Sequence, residues 1–277
     1  MSIQWFPGHM YKATKKIEEI VKQIDIFIEI LDARIPFSSQ NPIFPKWYTN
    51  KHHLTVLNKS DLADPKLTKL WMQYFQKKEI KAISTIASNL QSVCKIKKIC
   101  RKFIPSNHKI KKNIKVMIIG IPNVGKSTII NTLASRTISV TGNQPAITRS
   151  QQCVNLKNGI VLYDTPGIFL TKIEDRSVAF RLAAIGAVKN IAIEYDEVAI
   201  DIISYLLKYY PEKIKKRYKI KKLPESSIEI INAIGINRGT LKPGAYIDNY
   251  KACEIFLNEF RNGILKEITL ESPEILL

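Results

Sequence analysis

The chain has 277 residues, 45% of them hydrophobic, and carries four cysteines and a net charge of +19. That composition excludes an intrinsically disordered chain, a disulfide framework and, since no run of ~18 apolar residues occurs, a membrane-spanning helix. Length and core content leave one large or two modest globular domains.

The charge is unevenly held. Residues 1–175 carry 27 basic and 11 acidic side chains, residues 176–277 carry 16 and 13. A one-sign field of this size favours a polyanionic partner such as nucleic acid, although a lysine-rich composition shared by a whole proteome produces the same excess. Cys94, Cys100, Cys153 and Cys253 form no C-x-x-C pair, which suits a reducing compartment. The first ten residues lack the basic-then-apolar build of a signal peptide.

In chain order, Met10, Ala13, Ile17, Ile20, Val21 and Ile24 recur at helical spacing and predict an amphipathic helix over residues 10–24. Residues 26–31 read as a buried strand ending at Asp32-Ala33-Arg34. Residues 53–57 read as a second strand, which delivers Asn58. A helix over 65–78 and a short strand over 81–84 follow. Residues 95–112 hold eight Lys/Arg and no acid, and read as a helix end and exposed linker. Two more strands are expected at 116–119 and 159–163, each leading into a chemistry-bearing loop. Beyond about residue 176 the pattern turns helical, with helices over 177–190, 196–209 and 249–262. The last is capped by Asp248 and Gly263 and presents Tyr250, Cys253, Leu257 and Phe260 on one face. Alternating strands and helices followed by helices predict an α/β domain over 1–175 with a mostly parallel sheet, and a smaller helical domain over 176–277.

Gly120-Ile-Pro-Asn-Val-Gly125-Lys126-Ser127-Thr128 stands between a strand and a helix, the context of a phosphate-binding P-loop. Main-chain N–H groups over Asn123, Val124, Gly125, Lys126 and Ser127, with Thr128 behind them at the helix start, would wrap a β-phosphate. Lys126 reaches the β/γ oxygens, and Ser127 offers a hydroxyl to Mg²⁺. Asp164-Thr-Pro-Gly167 follows the next strand. Asp164 is the second Mg²⁺ partner, and the Gly167 N–H approaches the γ-phosphate. Thr148 is the candidate switch threonine that closes over Mg²⁺.

Asn58-Lys59-Ser60-Asp61 selects guanine. A carboxylate at Asp61 accepts two parallel hydrogen bonds from guanine N1–H and the exocyclic amine, a donor pair adenine lacks. The stem of Lys59 lies over the base, and Asn58 ties the loop to the P-loop. The base-backing loop after Ser84 is poorly matched, and main-chain contacts from Ile86 and Ala87 are expected there. His52, His53 and His108 read as surface residues.

The base reader precedes the P-loop here, so the parts of the switch come in rotated order. This order resembles the circularly permuted GTPases. Within them, Trp5-Phe-Pro-Gly-His-Met10, Leu31-Asp-Ala-Arg-Ile-Pro36, Asn41-Pro42, Thr148-Arg-Ser-Gln-Gln152, Asp164–Ile168, Phe256–Gly263 and Ile268–Glu271 resemble the ribosome biogenesis GTPase A family, also called YlqF. The resemblance implies a P-loop GTPase domain with a helical, RNA-binding C-terminal domain. It also implies hydrolysis of GTP to GDP and phosphate, stimulated by the large ribosomal subunit, and a late role in that subunit's maturation. The factor would bind ribosomal RNA in its GTP state and leave with hydrolysis. Ribosomal RNA and ribosomal proteins are the implied partners of a monomer, in a bacterial cytoplasm rather than an organelle and away from membranes.

Many switch GTPases place a glutamine after Asp-x-x-Gly to orient the attacking water, and here that position is Ile168. Two substitutes are expected. Asn123 matches the position that helps bind K⁺ in related potassium-dependent GTPases, and His9 is the residue the family treats as catalytic. A competing reading is an RNA-binding protein that uses GTP only as a structural ligand. The basic, tyrosine-bearing stretch 209–222 would serve it as well, since tyrosines stack on bases and lysines hold phosphates.

Overall fold

The computed structural model describes residues 3–4, 15, 17–104, 113–135, 152–156, 159–168, 172–188, 194–242 and 246–276. After a short strand β1 (Ile3–Gln4) and a helical stretch over residues 17–21, the chain enters β2 (Ile26–Asp32). The start of the expected 10–24 helix lies outside the described residues. A one-turn helix α1 (Pro45–Tyr48) leads to β3 (His52–Asn58), α2 (Pro65–Lys77), β4 (Ala82–Ser84) and α3 (Leu90–Phe103). Then come β5 (Ile114–Ile119), α4 (Lys126–Ala134), β6 (Gln152–Leu156) and β7 (Ile160–Asp164).

These strands form one sheet in the order β4-β3-β2-β5-β7-β6, parallel except for the antiparallel edge strand β6. The sequence reading had no β6, because a polar edge strand lacks a buried apolar run. β2 is buried along its whole length, as a strand covered on both faces must be. Ile26, Ile28 and Ile30 face one core with Val93, Ile96 and Cys100 of α3 and Ile129 and Ile130 of α4. Phe27 faces the other, with Ile17, Ile24, Phe44 and Trp47. α3 runs to Phe103, so the helix end expected in the basic stretch covers 95–103, while residues 105–112 lie outside the described residues; Val93, Ile96 and Cys100 line the buried side of α3.

Past β8 (Lys172–Ile173) the chain is mainly helical, with α5 (Arg176–Ala184), α6 (Tyr195–Tyr209), α7 (Pro211–Tyr218), α8 (Ser227–Arg238) and α9 (Asn249–Arg261), and an antiparallel pair of Leu241–Lys242 and Tyr246–Ile247 between the last two. Asp175, Ser226 and Asp248 cap three of them by accepting main-chain N–H bonds. Cys253, Leu257 and Phe260 of α9 are buried, but Tyr250 is 59% exposed and its ring packs edge-on to Tyr195. It sits in the first helical turn, beyond the reach of the core. The stretch 209–222 is likewise only partly available. Tyr218 is buried with its hydroxyl on Glu259, Tyr210 bonds Asp64, and Arg217 forks onto Glu259, leaving Tyr209 as its exposed ring.

The core does not stop between the two halves. Phe180, Ile202, Phe256 and Phe260 join the same apolar cluster as the sheet. The chain's last segment then returns to the loop after β2 and to α2. Leu270 N donates to Arg34 O, and Trp71 Nε1 to Glu271 O. The Glu271 carboxylate accepts from the main chain of Phe37 and Ser38, while its burial pushes its pKa up.

Candidate nucleotide-binding site

Asp32, Asn58, Ser84, Ile119 and Asp164 end adjacent parallel strands, so the loops carrying the motifs open on one edge of the sheet. The structure thus brings the base reader, the backing loop, the P-loop and the Asp164 segment together, although 66 residues separate Asn58 from Val124.

The P-loop is shaped by its own backbone. Gly125 has φ +96°, and a Cβ there would lie 2.3 Å from Asn58 Nδ2. Only glycine allows both the turn and the approach. Asn58, fully buried, donates from Nδ2 to Val124 O at 2.7 Å. Its Oδ1 is buried with no hydrogen-bond partner, a polar vacancy of the kind that bound groups fill. Lys59 Nζ donates to Asn123 O at 2.6 Å. The base reader is therefore bolted to the phosphate loop at two points, as expected for Asn58 and additionally for Lys59.

Lys126 opens α4, is 7% exposed, and donates from Nζ to Gly120 O at 2.9 Å and Ile121 O at 2.7 Å. Burial pushes its ammonium down to about 8, and the neighbouring Asp164 opposes that shift. A buried ammonium held by two carbonyls, with one carboxylate nearby, is a cation that phosphate oxygens would stabilise further. Asp164 is fully buried at the end of β7 and pairs in register with Ile118 of β5. A hydroxyl at Ser127 and a carboxylate at Asp164 suit Mg²⁺, which takes few protein ligands and keeps phosphate oxygens and water for the rest. Thr148 and His9 lie outside the described residues.

The Asp164–Ile168 segment is fastened along its length. Thr165 Oγ1 donates to Ile118 O at 2.7 Å, and Asn41 Nδ2 to Ile168 O at 3.1 Å. A Cβ on Gly167 would fall 2.8 Å from Pro122 N, so this glycine lets the segment lie against the P-loop. Ile168 is 1% exposed and packs in the cluster of Phe27, Phe44 and Trp47. It is a core anchor whose side chain does not line the phosphate site.

In the base-backing loop, Ser60 N and Oγ both donate to Thr85 O. Ile86 N donates to Ser92 Oγ and Ala87 O accepts from Thr132 Oγ1, so these two main chains stiffen the loop from behind. Asn123, with φ +63°, donates from Nδ2 to Gly186 O, which turns its Oδ1 away from that carbonyl. His53 is not a simple surface residue. It stacks on Tyr48 with centroids 4.0 Å apart and stands 3.5 Å from Glu29, while His52 stacks on Phe103. The His53–Glu29 and His52–Phe103 contacts join residues remote in sequence. Sequence reasoning also assigned no role to Asp32 and Arg34, both fully buried at the rim of the base-reading loop. Their position directly after a strand was the available signal.

Residues 115–235 match a family described as 50S ribosome-binding GTPase. The Ribosome biogenesis GTPase A of Bacillus cereus is 43% identical over 281 residues, spanning 99% of this chain and 95% of that protein. Among solved structures, GDP-bound TM YlqF has a TM-score of 0.70 at 27% identity, covering 94% of this chain and 99% of that one. GNP-bound YlqF from T. maritima has a TM-score of 0.68 at 27% identity, covering 95% and 99%.

Proposed function

The chain belongs to the ribosome biogenesis GTPase A family, and from that premise, a GTPase acting in ribosome biogenesis, we propose that it serves late in large-subunit maturation. In this reading it binds ribosomal RNA with GTP in place and leaves on hydrolysis. The observation that carries it is the double tie of Asn58 and Lys59 to the P-loop, which holds a guanine reader and a phosphate cradle as one rigid site.

The chemistry follows from the residues. Asp61 selects guanine, and Lys59 backs the base. The main chain over Asn123–Thr128 and the ammonium of Lys126 take the phosphates, with the Gly167 N–H toward the γ-phosphate. Water attacks the γ-phosphorus and GDP leaves, a reaction in which charge placement does most of the work. Ser127, Asp164 and Thr148 would hold Mg²⁺, which would neutralise phosphate charge there. K⁺ at Asn123 would add to it. Ile168 lies in the core and cannot orient the water.

His9 is the proposed substitute. β1 pairs antiparallel with β8, Ile3 opposite Ile173 and Gln4 opposite Lys172. The chain just before His9 is thereby pinned to the chain just after Ile168, which supports a role for His9 near the γ-phosphate. Residues 1–175 act as the GTPase domain and 176–277 as the RNA-binding one, in a monomer that works in a bacterial cytoplasm. Among the described residues no helix is long and apolar enough to cross a membrane. The reading in which GTP is a structural ligand only is not favoured by the curated relatives, which are named as GTPases.

The test is GTP hydrolysis with and without large subunits, in K⁺ and in Na⁺, for the wild type and His9→Ala. Expected is stimulation by subunits in K⁺, lost in His9→Ala while GTP binding persists. Equal stimulation of both proteins removes His9 from the mechanism, and no stimulation under any condition overturns subunit-coupled turnover.

A further inference from the structure

Beside the base reader lies an ion cluster whose two buried members, Asp32 and Arg34, no step above uses. Asp32 ends β2 and is fully buried. Its carboxylate accepts from Arg34 Nε at 2.9 Å, Arg34 Nη2 at 2.8 Å and Arg34 N at 3.0 Å. These contacts already satisfy it, yet Lys59 Nζ stands 3.3 Å from its Oδ2 as well. The ammonium of Lys59 is thus gripped from two sides, by Asp32 and by the carbonyl of Asn123. Lys59 itself has φ +58°, a left-handed conformation uncommon for a residue with a side chain.

A lysine whose stem backs a base beside two or three phosphates has a competing option. Its flexible chain can turn the ammonium toward the phosphates, where the Coulomb attraction of several negative oxygens is strong. A fixed carboxylate 3.3 Å from the ammonium opposes that turn. Asp32 is suited to the task because it stays ionised. Burial alone would raise its pKa, but the Arg34 guanidinium and the Lys59 ammonium hold it well below the usual carboxylate range. Arg34 is fixed in turn by the helical half: Nη1 donates to Phe260 O at 2.9 Å, and the guanidinium lies 5.0 Å over the Phe260 ring.

We propose that Asp32 is a positioning residue for guanine recognition, which holds Lys59 extended beneath the base and away from the phosphates, with Arg34 anchoring that hold on α9. The assignment rests on reading Asn58–Asp61 as the base reader.

The experiment is a double-mutant cycle in the full chain, Asp32→Asn against Lys59→Met, read by competition binding of GDP and by steady-state GTP hydrolysis. Expected for Asp32→Asn is a loss of about tenfold or more in GDP affinity, within the range of contacting pairs. The KM for GTP rises by a similar factor and kcat holds. In the Lys59→Met background, Asp32→Asn should add less than about a twofold loss, because its target is gone. If Asp32→Asn does not fold, Asp32→Asn/Arg34→Gln, which removes the buried acid and base together, takes its place in the same cycle. An unchanged GDP affinity, or an equal loss with and without Lys59, overturns the assignment. So does failure of both variants to fold, which makes Asp32 a purely structural residue. A wild type that binds ADP as well as GDP brings down the guanine-site reading itself, a result separable from the others.

Discussion

The side-chain amide of Asn123 donates to the main-chain oxygen of Gly186, so the phosphate loop is tied directly to the turn that follows α5. That turn is braced from the other side. Arg261 of α9 donates to Ala183 O at 2.8 Å and Ala184 O at 3.1 Å, capping the carbonyl end of α5. The helical half therefore meets the nucleotide site at Asn123, at the base reader through Arg34, and at the loop after β2 through the chain's last residues.

The tie to Gly186 bears on K⁺. Nδ2 donates to that carbonyl, so the K⁺ reading assigns the amide oxygen of Asn123 to the cation. Asn123→Ala should bring turnover in K⁺ down to the level in Na⁺, while Asn123→Asp, which keeps an oxygen but loses the donor to Gly186 O, should retain part of the difference. Parallel hydrolysis assays in the two salts check this. A K⁺-to-Na⁺ ratio that is the same in wild type and Asn123→Ala excludes the residue as a K⁺ ligand.

Replacing Ile168 by glutamine should not install water-orienting chemistry. The side chain at this position points into the cluster of Phe27, Phe44 and Trp47. Ile168→Gln should leave intrinsic hydrolysis no faster and cost about 2–4 kcal/mol of stability, from lost packing and a buried unpaired amide. Urea unfolding and single-turnover hydrolysis read the two effects. A faster, equally stable variant contradicts the placement.

Lys126 predicts a proton-linked nucleotide affinity. Burial holds its pKa at about 8 in the protein without nucleotide, below the unfolded value of about 10.4. Between those values the unfolded chain holds a proton that the folded one has lost. The stability of the nucleotide-free protein should therefore rise as pH climbs through this window. Phosphates favour the charged ammonium, so GDP binding above about pH 8 should take up a proton and weaken by roughly tenfold per pH unit. Calorimetric titrations in buffers of different ionisation heat measure the uptake. Lys126→Met should abolish it.

Arg34→Met leaves Asp32 buried beside Lys59 alone and should cost about 3–5 kcal/mol at neutral pH. The sign of the pH dependence follows from the depressed pKa of Asp32. Its contribution is present above the ordinary value of about 3.9 and is lost as pH falls toward the folded value. The gap between wild type and variant should therefore narrow on acidification. Denaturant midpoints over an acidic series test this, and a gap independent of pH argues against the ion pair as its source.

The phosphate end of the site was legible in the sequence because it is local. Strand, Gly120–Thr128 and helix are contiguous, and the positive φ at Gly125 is a demand that residue type alone reveals. The same holds for the capping residue Asp248, which bonds to its own first helical turn. The base-backing loop was less legible, since the work there is done by the main chain of Thr85, which carries no side-chain signature. β6 was missed because an edge strand with a polar face has no apolar run to announce it.

By itself the sequence determined the nucleotide class, the rotated order of the motifs and the strand-to-loop position of each, because these depend on residue types over short spans. The tertiary structure alone decided that Arg34 meets the carbonyl of Phe260, 226 residues away, and that Asn123 meets Gly186. It also decided that Ile168 is a core anchor. Those contacts depend on how the layers pack. A buried carboxylate, a buried guanidinium and a fixed amide have no preferred partner until the sheet and the helices exclude water around them and force the choice.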